Sequence, residues 1–442
     1  MNIAIVGTGY VGLVAACCLA KSGHLVAAVE RDLVKLESLK KGKVPFYEDG
    51  LDDVLKEALT KGAITFTSNL PTALEDASIL FIAVGTPALP DGRADLSQVY
   101  TVAEQIIENS THELIVVMKS TVPPGTGQNI CSRIFNHSKF PIYYASNPEF
   151  LREGKSVWDW YHPDRIVIGC DNDDIARKIS DLYSDIDSPK KIMDVTSAEM
   201  VKYASNAFLA TKISFINEIS NLCELVGANI DKVAPAVGMD SRIGAQFLQA
   251  GLGYGGSCFP KDTKGLDYIS SFNGYRFSLL KAVIEVNARQ RIMAIRKITK
   301  YLGDLRGRQI AVLGLAFKPG TDDVREAPAL DIIKCLVDEG ALVRVSDPMA
   351  LEKARPLIQS SIELFSDPYD AIAGAEAILL ATEWPLFINM DWKLIKKQMR
   401  EPYLVIDGRN ALNADKLLSL GYKYEGYGLK ITNQPLPVSV ST

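Results

Sequence analysis

The sequence is poor in the residues and patterns on which several protein classes depend. It contains four histidines and seven cysteines, and the cysteines are an odd number without a Cys-x-x-Cys pair. This composition argues against a disulfide framework, and the scattered histidines argue against a structural metal site, so we expect no bound metal. No apolar run approaches the roughly 18 residues that a membrane-spanning helix requires, so we also expect no membrane contact.

Basic residues are in the minority, because 48 lysines and arginines stand against 53 aspartates and glutamates. The resulting net charge of −5 gives no sign of a nucleic-acid-binding surface, and we expect no nucleic-acid partner. The first residues enter a hydrophobic strand pattern without a basic stretch, so we expect no signal peptide and a cytoplasmic location. Hydrophobic residues are plentiful, at 47% of 442, which suits about two to four globular domains.

Short β-branched runs alternate with helical patterns in the first and last parts of the chain. Continuous apolar strands separated by helices predict parallel sheets that are covered on both faces. Between these parts the pattern predicts two long helices, over 197–226 and 275–302. The predicted fold class is α/β, with two doubly wound Rossmann-like domains joined by a central region of long helices. The predicted strands cover 3–6, 25–30, 64–67, 79–84, 114–118, 142–145, 166–169, 309–313, 342–346, 377–380 and 404–406.

The same pattern predicts three domains and a tail. The domains are expected to cover 1–196, 197–303 and 304–432. The tail, 433–442, contains two prolines and small polar residues, which is typical of a flexible terminus. The two α/β domains are expected to be related in their architecture.

A glycine-rich turn follows the first predicted strand directly and opens a helix. It is Gly7-Thr8-Gly9-Tyr10-Val11-Gly12. Glycines in this context allow a tight turn and a close approach of the backbone to a pyrophosphate at the helix N-terminus. Glu30 ends the next predicted strand, where a carboxylate accepts hydrogen bonds from a ribose 2′-hydroxyl and predicts NAD rather than NADP. Arg31 beside it is a residue type that accommodates a 2′-phosphate, which is the opposing indication.

Polar loops follow three further predicted strands, at 84–87, 120–123 and 146–149. In doubly wound sheets ligands lie outside the carboxyl ends of the strands, so these loops are expected to surround the nicotinamide half of the cofactor. Ordinary surface turns have the same composition. Glu149 and Glu153 lie four residues apart and offer two carboxylates, which the start of a surface helix would equally tolerate.

The segment 251–262 carries four glycines within six residues, followed by Cys258, Lys261 and Asp262. Such a run suits neither a helix nor a strand, and it lets the backbone wrap around a ligand. A nearby cation favours the thiolate, which is the reactive form of cysteine. A free cysteine is more often a small buried hydrophobic residue, but the glycine loop keeps Cys258 off a helix face. The pattern therefore predicts that Cys258 is a nucleophile.

Lys202 and Asn206 lie four residues apart on the first long helix and so share a face. A lysine there is compatible with a solvated side chain. Beside a dinucleotide site, a lysine with an amide one turn further on predicts a group that stabilises an oxyanion or acts as a base.

Together these motifs resemble the UDP-glucose/GDP-mannose dehydrogenase family, the nucleotide-sugar 6-dehydrogenases. The resemblance runs from end to end of the chain. Besides the first glycine turn and the Cys258 loop, it rests on the motifs at 119–126, 147–154, 162–169, 199–206 and 314–323.

The resemblance implies a four-electron oxidation that uses two NAD per sugar. The C6 alcohol becomes an aldehyde, Cys258 adds to it, a second hydride leaves, and water hydrolyses the thioester to the acid. Lys202 and Asn206 match the pair that stabilises oxyanions at C6, Asp262 matches the acid that helps to activate a water or the lysine, and Glu149 matches the base for hydrolysis. The implied catalytic residues are Thr121, Glu149, Glu153, Lys202, Asn206, Cys258 and Asp262.

The resemblance also implies binding residues and a role for each predicted domain: NAD binding, then dimerisation with the catalytic cysteine, then UDP-sugar binding. Arg242 matches an arginine that reaches across from a partner subunit, which implies a homodimer through the long helices. The residues implied to bind NAD are Gly7, Gly9, Tyr10, Val11, Gly12, Glu30, Lys35, Thr86, Thr121, Glu153 and Arg325. Those implied to bind the nucleotide sugar are Glu149, Phe150, Leu151, Arg152, Lys202, Asn206, Arg242, Phe247, Leu248, Gln249, Tyr254, Gly255, Phe317, Lys318 and Arg409.

The sequence leaves several activities to be distinguished. Within the family, the Cys258 loop and Phe317-Lys318 favour UDP-glucose over GDP-mannose, and over a UDP-N-acetylhexosamine. A two-electron dehydrogenase of the 6-phosphogluconate or 3-hydroxyacid type would need neither Cys258 nor a second α/β domain. A catalytically silent NAD-binding sensor would tolerate the loss of Cys258, Lys202 and Asp262, all of which are present.

Overall fold

The computed structural model describes residues 1–429, in two compact units. Unit 1 comprises Met1–Ser205 and Lys264–Gly274, and unit 2 comprises the remaining described residues. The boundaries 1–196, 197–303 and 304–432 stay a prediction. The expected tail, 433–442, lies outside the described residues.

Unit 1 is built on an eight-stranded sheet. Its strands are β1 (Asn2–Val6), β2 (Leu25–Val29), β3 (Ile64–Thr67), β4 (Ile79–Ile82), β5 (Leu114–Met118), β6 (Ile142–Ser146), β7 (Ile166–Gly169) and β8 (Lys190–Met193). They lie in the order β3-β2-β1-β4-β5-β6-β7-β8, and the first six follow the doubly wound dinucleotide-binding pattern.

One pair of strands in this sheet departs from the expected parallel arrangement. β6 and β7 pair antiparallel, with Ser146 opposite Gly169. The connection between them is a loop with a single six-residue helix, Ser156–Tyr161. The chain therefore turns back beside β6 instead of crossing the sheet face, which a parallel neighbour would require.

Helices cover both faces of the first sheet because its strands are apolar on both sides. In β1, Ile3 and Ile5 belong to one buried cluster, whereas Ala4 and Val6 belong to the other. The helices are α1 (Tyr10–Lys21), α2 (Leu33–Lys40), α3 (Leu51–Thr60), α4 (Leu70–Leu74), α5 (Ser97–Asn109), α6 (Thr126–Arg133), α7 (Ser156–Tyr161) and α8 (Asp173–Asp181), with a 3₁₀ turn at Phe135–His137.

Four helices follow in the middle of the chain. They are α9 (Val195–Val226), α10 (Ile230–Gly238), α11 (Phe259–Phe272) and α12 (Ser278–Leu302). The two long helices that the sequence predicts correspond to α9 and α12, which begin two residues earlier and three residues later than expected, at Val195 and Ser278. The sequence pattern did not predict α11, because its first turn follows directly on the glycine loop.

Unit 2 contains a second, six-stranded sheet, parallel throughout, in the order β11-β10-β9-β12-β13-β14. The strands are β9 (Gln309–Leu313), β10 (Leu342–Ser346), β11 (Glu363–Phe365), β12 (Ala377–Leu380), β13 (Leu404–Asp407) and β14 (Lys423–Glu425). The remaining helices are α13 (Pro328–Asp338), α14 (Leu351–Ala354), α15 (Pro368–Ile372), α16 (Pro385–Ile388), α17 (Trp392–Gln398) and α18 (Ala414–Ser419), with a 3₁₀ turn at Arg355–Leu357.

The second sheet repeats the 3-2-1-4-5-6 order of the first six strands of unit 1, so the predicted fold class is confirmed. Three strands were missed: β8, β11 and β14, which have only three or four residues each and lie at sheet edges. Within residues 1–429, no helix combines the length and apolar character needed to cross a bilayer. The same residues contain no group of three or more His, Cys, Asp or Glu side chains suited to a metal ion.

Candidate active site

The glycine turn between β1 and α1 leaves open space beside the helix N-terminus. Gly7 has φ +97°, and a Cβ there would lie 2.5 Å from the carbonyl oxygen of Ala83. A Cβ at Gly12 would overlap the carbonyl oxygen of Gly7. A Cβ at Gly9, the N-cap of α1, would meet no atom within 4 Å, and Tyr10 and Val11 begin the helix. This cradle fits a pyrophosphate, whose charge is stabilised by the N–H groups at a helix N-terminus.

Glu30 lies directly after β2, as the NAD prediction requires, and its carboxylate is held from three sides. It accepts hydrogen bonds from Thr8 Oγ1 at 2.5 Å and from the backbone N–H of Asp32 at 2.9 Å, and it pairs with Lys35 Nζ at 2.8 Å. Burial raises the pKa of Glu30, but the hydrogen bonds from Lys35, Thr8 and Asp32 outweigh it and leave the pKa below its ordinary value. The side chain is therefore an oriented carboxylate acceptor beside the glycine turn.

Two more residues implied to bind NAD, Thr86 and Thr121, meet at the carboxyl ends of neighbouring strands. Thr86 follows β4 and Thr121 follows β5. The hydroxyl of Thr86 donates a hydrogen bond of 2.9 Å to the carbonyl oxygen of Thr121. Both therefore lie at the edge of the sheet where ligands bind in this fold.

Glu149 and Lys202 form a buried ion pair. Glu149 follows β6 and Lys202 lies on α9, and their side chains meet at 2.8 Å with 7% and 5% exposure. The other carboxylate oxygen accepts the backbone N–H of Leu151 at 2.6 Å. Burial raises the pKa of Glu149, but the charge of Lys202 and its hydrogen bond overcome this and hold the pKa below its ordinary value. The Glu149 carboxylate is thus kept ionised out of water.

The residues that follow Glu149 in the chain differ in their contacts and in their exposure to solvent. The ring of Phe150 lies 5.4 Å from Lys202 Nζ and 3.6 Å from the guanidinium carbon of Arg165. Arg152 pairs with Asp159 at 2.5 Å and remains more than half exposed. Leu151 packs against the core, and Glu153 is half-buried.

In unit 2, Cys258 stands at the N-terminus of α11. Its carbonyl oxygen accepts the backbone N–H of Asp262 at 2.8 Å, and its Sγ lies 3.4 Å from the hydroxyl of Ser257. Asp262 is 1% exposed and accepts hydrogen bonds from Asn206 Nδ2 at 2.6 Å and from Lys261 Nζ at 2.5 Å. The structure therefore brings together three of the predicted catalytic residues. A helix N-terminus stabilises negative charge, as a thiolate requires.

Three buried side-chain amides hold the glycine loop that leads to Cys258. Asn217 Oδ1 accepts the N–H of Gly251 at 2.8 Å, and Gln290 Nε2 donates to the carbonyl of Gly251 at 3.0 Å. Asn287 accepts from the N–H of Tyr254 at 2.8 Å and donates to its carbonyl at 3.0 Å. These amides replace the hydrogen bonds that a loop without secondary structure lacks.

The second half of the loop packs against residues implied to bind the sugar and the cofactor. A Cβ at Gly256 would come within 2.8 Å of the ring of Phe317. Gly256 N–H donates to the carbonyl of Arg325 at 2.9 Å, and the Arg325 side chain pairs with Asp323 at 2.7 Å. Arg409 donates to the carbonyl oxygen of Phe317 at 2.8 Å. Phe317 and Arg325 therefore lie against Gly256, and Arg409 contacts Phe317.

The remaining predicted residues of unit 2 differ in exposure. Lys318 Nζ lies 5.5 Å from the ring of Phe317, and Tyr254 is buried with its ring edge-on to that of Phe259. Leu248 is buried, Gln249 is exposed, and Phe247 has a positive φ of +65°. Gly255 lies against the carbonyl of Glu326. The side chain of Arg242 is 87% exposed and pairs with Asp240.

Three sequence models of one family match the chain in order. They are the NAD binding domain of the UDP-glucose/GDP-mannose dehydrogenase family over residues 1–187, its central domain over 196–289 and its UDP binding domain over 311–414. The chain belongs to the UDP-glucose/GDP-mannose dehydrogenase family. The resemblance inferred from the motifs is confirmed, and so is the expectation of NAD as the cofactor.

Individual members of the family are similar over nearly the whole chain. A UDP-glucose 6-dehydrogenase of Bacillus subtilis (strain 168) is 45% identical, with 97% of this chain and 93% of the relative covered. A UDP-glucose 6-dehydrogenase of Rhizobium meliloti (strain 1021) is 44% identical, with 97% and 99% covered. The structure of a UDP-glucose dehydrogenase from Pyrobaculum islandicum superposes with a TM-score of 0.91 at 40% identity, covering 97% of each chain.

Sequence reasoning missed the residues that support the site. The amides of Asn217, Asn287 and Gln290 lie on helices, where a polar residue is ordinarily assigned to the solvent face. Lys119 was noted only as part of a family motif, yet it is a buried lysine whose charge interacts with that of Glu149. The available signal was weak: an isolated polar residue among apolar neighbours on a predicted helix or strand.

Proposed function

We propose that this protein oxidises UDP-glucose at C6 to UDP-glucuronate, with two NAD per sugar and a covalent intermediate on Cys258. The observation that carries the proposal is the position of Cys258, which ends a glycine loop at a helix N-terminus beside Asp262 and Lys261. A two-electron dehydrogenase has no use for such a thiol. The similarity to UDP-glucose 6-dehydrogenases over nearly the whole chain supports the choice of substrate.

The residues of unit 1 fit the dinucleotide. The open space at Gly9 admits a pyrophosphate, and the ionised Glu30 accepts the hydrogen bonds of a ribose diol. NAD, when bound, accepts the hydride that leaves C6 in each of the two oxidations.

The first oxidation requires a base for the C6 hydroxyl and a stabiliser for the oxygen. As the hydride leaves carbon, the hydroxyl proton passes through a water to Asp262, and the oxygen becomes the carbonyl oxygen of an aldehyde. Lys202 and Asn206 donate hydrogen bonds to this oxygen while its charge develops. The buried setting of Lys202 makes this electrostatic interaction stronger than it would be in water.

The thiol then keeps the aldehyde on the enzyme. The thiolate of Cys258 attacks the aldehyde carbon to form a C–S bond, and the oxyanion takes back, through the water, the proton held by Asp262 to give a thiohemiacetal. Loss of the second hydride from the same carbon, with transfer of the hydroxyl proton through the water to Asp262, gives a thioester. A serine hydroxyl is a far weaker nucleophile near neutral pH, which explains the need for a cysteine.

Hydrolysis releases the product. Glu149 accepts a proton from a water that Thr121 and Glu153 help to position, and the water oxygen bonds to the thioester carbon. The C–S bond breaks and Cys258 leaves as a thiolate. The carboxylic acid that forms gives its remaining proton to solvent, and the sugar departs as a carboxylate. The ionised state of Glu149 suits a general base.

We also propose roles for residues that bind the UDP-sugar, a homodimeric assembly and a cytoplasmic location. Arg152, Phe317, Lys318 and Arg409 hold the UDP-sugar. Arg242 extends to the site of a second subunit in a homodimer, and its high exposure in this chain supports that assignment. The reaction takes place in the cytoplasm, since its charged nucleotides do not cross a lipid bilayer unaided.

The test is NADH formation by the purified protein with UDP-glucose, UDP-galactose, GDP-mannose and UDP-N-acetylglucosamine. UDP-glucose should give the highest kcat/KM and two NADH per sugar, without released aldehyde. Preference for GDP-mannose or UDP-N-acetylglucosamine would reassign the substrate. One NADH per sugar would refute the covalent four-electron mechanism.

A further inference from the structure

Lys119 is a buried lysine whose charge interacts with that of Glu149, the proposed hydrolytic base. It follows β5 and is 5% exposed. Its ammonium group donates hydrogen bonds to Asn147 Oδ1 at 2.9 Å and to the hydroxyl oxygen of Tyr183 at 3.3 Å, and it faces the ring of Trp160 at 5.4 Å. All of these partners are uncharged.

No ion pair found in residues 1–429 includes Lys119, so its charge is buried without a carboxylate in direct contact. Burying an ammonium group in this way is unfavourable. Burial lowers the pKa of Lys119 to about 7, although Glu149 opposes this by raising the pKa, and Lys202 adds to the lowering. A lysine kept in such a setting is a candidate for a functional role rather than a stabilising one.

The hydrogen bonds of Lys119 connect it to the loop that carries Glu149. Asn147 precedes Glu149 by two residues, and its Nδ2 donates to the carbonyl of Val167 on β7 at 2.7 Å. The hydroxyl of Tyr183 donates to Asn147 Oδ1 at 2.5 Å. Asn147 is thus held by three partners, one of which is the ammonium group of Lys119.

The charged neighbours of Lys119 give the reason for a second cation. In this structure Glu149 is paired with Lys202. The proposed function assigns Lys202 to the oxygen at C6 and Glu149 to the water, so Lys202 then shares its charge with the substrate oxygen and stabilises the Glu149 carboxylate less. A buried carboxylate left without a cation takes up a proton and ceases to be a base.

We propose that Lys119 is a positioning residue for the reaction, which holds the Glu149 loop through Asn147 and supplies the counter-charge that keeps Glu149 ionised when Lys202 engages the substrate. This inference rests on the proposed function, in which Glu149 is the base for thioester hydrolysis. The titratable groups facing Lys119 are Glu149 from the loop after β6, Lys202 from α9 and Tyr183 from the segment after α8.

The experiment compares the pH dependence of kcat in wild type and in Lys119→Met, which keeps the length of the side chain and removes the charge. Without the cation the pKa of Glu149 rises, so the acidic limb should move up by about one pH unit, the lower end of the effect of a nearby opposite charge. Below that limb the variant should be about tenfold slower than wild type, with KM for UDP-glucose within about twofold. Mass spectrometry of acid-quenched enzyme should show more sugar adduct on Cys258.

Two matched variants separate charge from packing. Lys119→Arg keeps the positive charge and should keep the wild-type limb, as should Tyr183→Phe, which removes a neutral partner of Asn147 and leaves the ammonium group. An unmoved limb in folded Lys119→Met, or an equal movement in Tyr183→Phe, would overturn the inference. If Lys119→Met does not fold, Lys119→Gln takes its place. If neither variant folds while Lys119→Arg does, the role of Lys119 is structural and the proposal is overturned.

The same experiment distinguishes failure of the proposed function from failure of the inference about Lys119. Wild type that forms no NADH from UDP-glucose would overturn the proposed function and this inference with it. Active wild type with no effect of Lys119→Met on the limb or on the adduct would overturn only the inference.

Discussion

Asn287 offers the sharpest structural test of how the nucleophile is positioned. Its buried side chain bonds both the N–H and the carbonyl of Tyr254, at 2.8 and 3.0 Å, four residues before Cys258. In Asn287→Ala the N–H of Tyr254 loses its partner, at about 1–3 kcal/mol, and its carbonyl, which keeps only a 3.4 Å contact with Arg291 Nη2, loses about 1 kcal/mol. The free energy of unfolding should therefore fall by about 2–4 kcal/mol. For a domain of this size that lowers Tm by about 4–16 °C.

The same substitution should slow the reaction. Displacing a reacting group by about 1 Å is worth about 100-fold in rate, so kcat should fall by one to two orders of magnitude, roughly, while binding of NAD is unchanged. Calorimetry and steady-state NADH formation measure the two effects. Asn389→Ala is the matched control, because Asn389 is exposed and bonds only the carbonyl of Pro385 through its amide nitrogen. A variant Asn287→Ala with a Tm within about 1 °C and a kcat within about twofold of wild type would show that Asn287 does not hold the loop that positions Cys258.

Three further predictions concern the chemistry and the two nucleotides. Cys258→Ser should lose about 10³-fold or more in kcat yet keep UDP-glucose binding by calorimetry, and near wild-type turnover with two NADH per sugar would exclude covalent catalysis. Glu30→Ala should lower the preference for NAD over NADP, measured as a ratio of kcat/KM, by about 10- to 100-fold, the value of a hydrogen bond to a charged group; an unchanged ratio would point to Arg31 instead. Lys318→Met should raise KM for UDP-glucose about tenfold or more and leave KM for NAD unchanged, whereas equal movement of both would indicate a folding role.

The local parts of the site were predictable from the sequence because short stretches of chain determine them. The turn from Gly7 to Gly12 needs only a strand before it and a helix after it, and Glu30 needs only the end of the next strand. Lys202 and Asn206 share a helix face by spacing alone. The sequence did not predict that Cys258 would directly precede a helix, α11, because the pattern of the glycine loop gives no sign of the helix that follows.

Contacts between distant parts of the chain could not be predicted from the sequence. Tyr183 is 64 residues from Lys119, and Glu149 is 53 residues from Lys202. Which strand lies beside which determines these contacts, and the antiparallel turn of β7 against β6 brings Val167 to Asn147. No periodicity of the sequence carries that information.

The sequence by itself determined the kinds of chemistry this protein possesses: a dinucleotide turn, a carboxylate after the second strand, one thiol in a glycine loop, and a lysine with an amide on a long helix. Only the tertiary structure decided their ionisation and their support. The charge on Glu149 depends on burial and on Lys202 and Lys119, and the shape of the thiol loop depends on amides from other helices. The physical reason is that the electrostatic energy of a group depends on the distance and exposure of its neighbours, which exist only once the chain has folded.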